Sequence, residues 1–248
     1  MSNHPITNRP ITNLWQSLLD LVFPPKCVGC GRPGNLLCDL CLQAAPRVRP
    51  PFCKKCGKPL ALSTEDRVPH TGSLCSFCRE AHLFISGIRS PYVFEGAVRK
   101  SIHSFKYRGM SSLSPTLGHL LAEYLSSHRL PVDVVVPVPL HPRRRKERGY
   151  DQAELLAGQL ASELSLPLGK GWLARRRPTL PQVDTSNAAQ RWQNVHGAFA
   201  AAAAVDPGRS VLLVDDVCTT GATLEACTRA LRQAGTSVVW GLTLAREA

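Results

Sequence analysis

The sequence predicts an α/β protein, a parallel sheet covered by helices and preceded by a small cysteine-rich domain. Three observations carry this reading. From about residue 84 onward, short runs of apolar β-formers alternate with amphipathic helical segments. One of those runs, Val211, Leu212, Leu213 and Val214, leads into two adjacent carboxylates and a threonine- and glycine-rich loop. Upstream, eight of the ten cysteines fall into four C-x-x-C pairs.

A chain of 248 residues is long enough for one large domain and a small one. The boundaries expected are an N-terminal amphipathic helix in residues 1–23, a cysteine-rich domain in 24–80 and the α/β domain in 84–248. Within the first segment, residues 13–23 (NLWQSLLDLVF) put Leu14, Trp15, Leu18, Leu19, Val22 and Phe23 on one helical face, and Pro24 and Pro25 stop the helix. A helix docked on the rest of the chain is expected; the absence of Lys or Arg within it argues against a membrane-surface anchor. No apolar run reaches the roughly eighteen residues of a membrane span. The N-terminal residues lack the basic start, continuous apolar stretch and cleavage site of a secretion signal, so a cytoplasmic location is expected.

The cysteine pairs are Cys27/Cys30, Cys38/Cys41, Cys53/Cys56 and Cys75/Cys78. A C-x-x-C knuckle presents two sulfurs to one ion from a tight turn, and two knuckles complete a tetrahedral sulfur site, the usual structural geometry for zinc. Four knuckles therefore predict two structural zinc ions in a zinc-ribbon domain. The expected pairing is sequential, Cys27/Cys30/Cys38/Cys41 and Cys53/Cys56/Cys75/Cys78, with a cross-braced arrangement as the alternative. Disulfides do not suit a reducing compartment, and a redox motif would use one pair beside a βαβ unit. Iron–sulfur ligation shares the spacing but is the less common use. Gly29, Gly31 and Gly57 lie in or just after knuckles, where positive φ is often required. The segment holds few large apolar residues, so metal is expected to replace a core. Cys218 and Cys227 stand apart and read as small core residues.

The formal net charge is +12. Two zinc ions bound by eight thiolates would reduce it to about +8, still basic enough to point to a polyanion. Lys54, Lys55 and Lys58 cluster beside the third knuckle and are candidates for phosphate contact or for a solvated loop.

The α/β elements follow in order. Tyr92 and Phe94 lie in a strand and a helix follows over Gly96 to Lys106; Leu117 to Ser126 forms another helix. Residues 132–138 (VDVVVPV) read as a strand with Pro137 and Pro139 at its exit. A helix over Asp151 to Leu164 starts at Asp151 as N-cap, with Glu154 completing a capping box. Between them, Arg143 to Arg148 (RRRKER) hold five basic residues and one acid. Read as a basic loop at a strand's carboxyl end, this run is expected to meet pyrophosphate or a nucleic-acid backbone. Residues 175–199 show little periodicity and read as a long functional connection, a lid or linker. Residues 200–204 are an alanine run, a loop or strand extension. Residues 238–244 (VVWGLTL) are the last buried strand, after Gly235 ends the preceding helix.

The run at residues 211–223, VLLVDDVCTTGAT, carries the most chemistry. Ligands of open α/β sheets bind outside the carboxyl ends of the strands, where a following helix offers amides to an anion. Thr219, Thr220, Gly221, Ala222 and Thr223 suit a phosphate nest. Asp215 and Asp216 would repel that phosphate; they fit the vicinal hydroxyls of a ribose, or a magnesium ion beside it. A ribose 5-phosphate uses both halves.

This run resembles the signature of type I phosphoribosyltransferases, which bind phosphoribosyl pyrophosphate (PRPP). The resemblance implies that Asp215 and Asp216 hold the ribose hydroxyls, that the loop from Thr219 to Thr223 cradles the 5-phosphate, and that magnesium accompanies PRPP. Together with PVPLHPRRRKERGYDQAELLA, then R-x-T-L-P-Q and R-x-x-N-V-x-G-A-F, all behind cysteine knuckles, the chain resembles the ComF family of competence proteins over nearly its whole length. By that resemblance Arg148, Gly149 and Gln152 belong to one motif, and Arg177, Thr179, Gln182, Arg191 and Asn194 to another. Asp151 stands where the family often has Asn. The pyrophosphate or nucleic-acid group expected from charge and resemblance is Arg143, Arg144, Arg145, Arg148, Arg177, Gln182 and Arg191.

Two functions are implied. In one, the domain grips PRPP without catalysing transfer, binds single-stranded DNA and serves DNA uptake in natural transformation, beside a helicase or DNA-processing proteins. In the other it transfers ribose 5-phosphate from PRPP to an acceptor. The first is preferred because nothing in the chain resembles a base-acceptor pocket and the charge suits a polyanion.

Overall fold

The computed structural model describes residues 24–60, 73–177, 188–203 and 205–247. The expected N-terminal helix, with Thr179 and Gln182, lies outside them. Among the described residues no helix is long and apolar enough to cross a membrane.

The main sheet contains β1 (Gly87–Arg89), β2 (Tyr92–Val93), β3 (Val134–Pro137), β6 (Ser210–Cys218) and β7 (Val238–Arg246). All pairings are parallel, in the order β1-β7-β6-β3, with β2 also on β7. A small antiparallel pair joins β4 (Leu173–Arg175) to β5 (Phe199–Ala201), and two short helices, α1 (Asp39–Gln43) and α2 (Ser76–Glu80), lie in the cysteine segment. Strand β6 is buried on both faces, which explains its unbroken apolar run. Leu212 and Val214 pack with α3 (Gly96–Tyr107), α4 (Ser114–Ser127) and α6 (Gln152–Leu164). Val211 and Leu213 pack with α8 (Ala222–Gln233), where Cys227 is fully buried beside Leu224 and Leu231. Cys218 is also buried, at the end of β6.

Several elements differ from expectation. Strand β6 does not stop at Val214 but continues to Cys218. Its partner β7 runs beside it that far, so backbone pairing carries both carboxylates into the sheet. The basic run is not a loop. It forms α5 (Pro142–Arg148), opened by the His141 side chain, which accepts from Arg143 N at 3.3 Å, and closed by Gly149 at φ +86°. Only half of the capping box forms: Asp151 Oδ1 accepts from Glu154 N at 3.2 Å, while the Glu154 carboxylate pairs with Arg145 at 3.2 Å and Lys170 at 2.5 Å. Within the stretch read as a long connection lie β4's end, α7 (Ala188–Val195) and the start of β5.

The cysteine segment is not independent of the sheet. Cys27, Leu37 and Ala45 share one core with Tyr92, Val98 and Ile102, so the packing missing inside the first ribbon is supplied by α3 and β2. Gly29 is required by close approach and not by positive φ, since a Cβ there would lie 2.7 Å from Cys41 Sγ. Gly31 and Gly57 do adopt positive φ, +78° and +74°. The second ribbon abuts the edge strand: Ile88 N donates to Lys55 O at 2.7 Å and Lys55 Nζ to Ile85 O at 2.5 Å. Lys55 therefore ties the two units together, whereas Lys54 and Lys58 are exposed.

Candidate functional site

Because the strands are parallel, β3, β6 and β7 end at one edge of the sheet, and a cavity of about 610 Å³ opens there. Val138, Pro139 and Leu140 after β3 form part of its wall; Asp215, Asp216, Val217, Thr219 and Thr223 form its floor.

Asp216 is buried, 5% exposed, and its Oδ1 lies 2.6 Å from Lys106 Nζ, at the end of α3. Asp216 N donates to Asp215 Oδ1 at 2.8 Å. Removal from water, reinforced by the Asp216 charge and opposed by Lys106, pushes the Asp215 carboxyl from the ordinary 3.8 up to about 7. Burial works against the Lys106 charge too, but Asp216 and Asp215 outweigh it and raise the ammonium's pKa. Two acids and one lysine thus share a low-dielectric floor whose net charge is poised near neutral pH.

Beyond the acids the chain turns through Gly221 at φ +84°, the N-cap of α8. A Cβ there would meet Ile88 Cδ1 at 2.9 Å, so glycine is required both by conformation and by space. Thr220 Oγ1 accepts from Ala222 N at 3.3 Å and holds the turn, while Thr219 and Thr223 line the cavity. The first turn of a helix presents amides to whatever occupies such a loop.

Helix α5 sorts its arginines by the helical repeat. Arg144 and Arg148, four residues apart, line the cavity. Arg148 also donates to Gln152 Oε1, and Gln152 joins the lining. Arg143 faces outward, pairing with Glu147 at 2.9 Å, and Arg145 pairs with Glu154. Arg191 lines the cavity and pairs with Glu247 at 3.3 Å. Arg177 instead donates to the carbonyls of His196, at 2.7 Å, and Asn194, at 3.3 Å, bracing the end of α7.

Sequence reasoning missed Lys106, Arg99, Arg175, His103 and Tyr107, all in the lining. A signal existed for Lys106. It lies four residues after Ile102 and next to Phe105 on the buried stripe of α3, and a lysine on such a stripe needs an acid. Arg175 could not be found this way, because it lies on β4, paired with Phe199 of β5, and no buried helical stripe marks it.

The thiols assemble as two groups, Cys27/Cys30/Cys38/Cys41 and Cys53/Cys56/Cys75/Cys78, with the sulfurs of each group within 4.8 Å of one another. This is the sequential pairing. The Cys27–Cys41 and Cys30–Cys38 separations are 3.7 Å and Cys56–Cys75 is 3.8 Å. A tetrahedron with zinc–sulfur bonds of about 2.3 Å has edges of roughly 3.8 Å, so both groups fit zinc.

The geometry defines a class: paired zinc ribbons docked on a phosphoribosyltransferase-type fold. Residues 18–79 match the double zinc ribbon domain and residues 151–247 the phosphoribosyl transferase domain. Competence protein F of Haemophilus influenzae is 32% identical over 237 residues, 89% of this chain and 97% of that protein. The DNA utilization protein YhgH of Salmonella typhimurium is 30% identical over 88% of this chain and 96% of its own length. Competence protein ComFC of Bacillus subtilis is 25% identical, over 82% of this chain and 81% of its own length. The chain belongs to the ComF family of competence proteins.

Two predictions follow from this geometry. An acid whose pKa is raised by folding contributes stability below its ordinary pKa and loses it as pH rises through the folded value. Asp215→Asn should therefore raise the melting temperature, and more at pH 8 than at pH 5; equal shifts at both would remove the electrostatic account. Elemental analysis of protein purified without chelator should find two zinc ions per chain, falling to about one in Cys53→Ser. Fewer than one in the wild type would exclude the metal assignment.

Proposed function

We propose that this protein binds PRPP with magnesium at the cavity edge and acts in DNA uptake during natural transformation by binding single-stranded DNA. The observation that carries the ligand is the pair Asp215 and Asp216 beside a hydroxyl-lined turn at a helix N-terminus, under Arg144 and Arg148. In this reading the acids take the ribose hydroxyls and the magnesium ion, the loop from Thr219 to Thr223 takes the 5-phosphate, and Arg144, Arg148 and Arg191 take the pyrophosphate. Lys106 neutralises Asp216 until ligand arrives. The DNA role rests on the basic charge and on the relatives named for competence and DNA utilization. It implies a cytoplasmic protein working with a helicase or DNA-processing partner.

The alternative, transfer of ribose 5-phosphate to an acceptor, is favoured by one observation. His103 and Tyr107, their rings 4.9 Å apart, stand in the cavity wall, and Tyr107 is 60% exposed, so a planar acceptor has a surface to meet. Catalysis would come from positioning and charge stabilisation, without a covalent nucleophile. Pyrophosphate release from PRPP in the presence of nucleobases separates the two readings.

Calorimetry should show PRPP–magnesium binding, weakened by about 1.5–3 kcal/mol in Asp215→Ala or Asp216→Ala, the usual range for a lost charge-assisted hydrogen bond. Equal affinity of wild type and double variant would refute the assignment. Single-stranded DNA should bind with little sequence preference and a steep salt dependence. Neutralising Arg143, Arg144 and Arg145 together should flatten the log-affinity against log-salt slope by up to about 2, at roughly 0.7 per phosphate contact. A wild-type slope in that variant would take the three arginines away from DNA and leave Arg144 alone among them to pyrophosphate.

A further inference from the structure

The last residue of β7 is a buried arginine, Arg246, 3% exposed. Its guanidinium reaches two sulfurs on opposite sides. Nη1 donates to Cys218 Sγ at 3.1 Å and to Cys56 O at 2.5 Å; Nη2 lies 3.8 Å from Cys56 Sγ. Nε is buried without a partner. Cys56 belongs to the second thiol group. Cys218 is the register partner of Arg246 across the sheet and stands directly before Thr219 in the phosphate turn. A second, parallel line of contact runs beside it. A Cβ on Gly57 would lie 2.6 Å from Ile88 O, and one on Gly221 would lie 2.9 Å from Ile88 Cδ1. The third knuckle is thus packed through Arg246 and Ile88 onto the back of the phosphate turn.

A guanidinium taken out of water needs an anion. Among the described residues its polar partners are all on Cys56 and Cys218, and neither supplies a carboxylate. A zinc ion held by four thiolates carries a net charge of about −2, and N–H donors around such sulfurs steady the metal.

We propose that Arg246 is the counter-ion of the second zinc–thiolate centre and that, through Cys218, it couples zinc loading of that ribbon to ligand binding at the phosphate turn. The first half stands on the contacts of Arg246 and the charge of the centre; the second half rests on the PRPP reading given above. Arg246 is then a positioning residue, and the second ribbon is part of the ligand site's framework as well as a folding device. The first ribbon, which packs against α3, has no such link among the described residues.

The test uses the full chain and follows zinc release to a chromogenic chelator. Wild type should release its two ions in separable phases, and Arg246→Met should speed one phase by about fivefold or more while leaving the other unchanged. If zinc loading favours ligand binding, ligand favours the loaded ribbon in turn, so saturating PRPP–magnesium should slow the same phase in wild type. Unchanged release in Arg246→Met overturns the counter-ion. Where that variant does not fold, Arg246→Lys, which keeps the charge but loses the forked donors, takes its place in the same release measurement. PRPP binding that leaves both phases untouched overturns the coupling. If PRPP fails to bind wild type at all, the ligand reading and the coupling fall together, and the release kinetics of Arg246→Met still decide whether Arg246 serves the zinc centre.

Discussion

Burial of β6 on both faces is the constraint on which the remaining structure depends. Four residues alternate between two helical layers, and pairing with β7 then holds the strand in register to Cys218. Two carboxylates are thereby fixed where water is scarce, and ionised acids in such a place are costly unless paired or placed to receive a ligand. Lys106 from α3 meets Asp216, while Asp215 is left with its affinity for protons raised. The floor of the cavity is thus the point at which packing energy is held against electrostatic cost, a common condition of binding sites.

Charge around the cavity is sorted by helical geometry. In α5 a spacing of four turns Arg144 and Arg148 inward, while Arg143 pairs with Glu147 and Arg145 with Glu154 outside the cavity. A run that is mostly basic in sequence is therefore two surfaces in space. The same cavity has acids on its floor and arginines on its wall, which matches a ligand carrying both hydroxyls and phosphates better than a uniform polyanion.

Metal and fold are also less separate than a small cysteine-rich segment implies. The first ribbon lends Cys27 and Leu37 to the core of α3 and α4. The second leans on β1 through Lys55 and on the end of β7 through Arg246. Glu225, buried at the start of α8, accepts from the amides of Phe84 and Ile85, both at 3.1 Å, and so secures the segment that links the second ribbon to β1. These contacts make the ribbons a wall of the α/β unit.

Local chemistry made much of this legible in the sequence. Sulfur pairs at fixed spacing announce a tetrahedral site, and their grouping follows chain order. The strand at Val211 to Val214, the turn at Gly221 and the N-cap at Asp151 were likewise readable, since each depends on residues close in the chain. What tertiary structure alone decided was which distant groups meet. Lys106 reaches Asp216 across 110 residues of sequence, Arg175 lines the cavity from β4, and Arg246 lies between two cysteines that no spacing rule connects. Those contacts are set by sheet order and layer packing, which bring remote residues together without leaving a periodic trace in the chain.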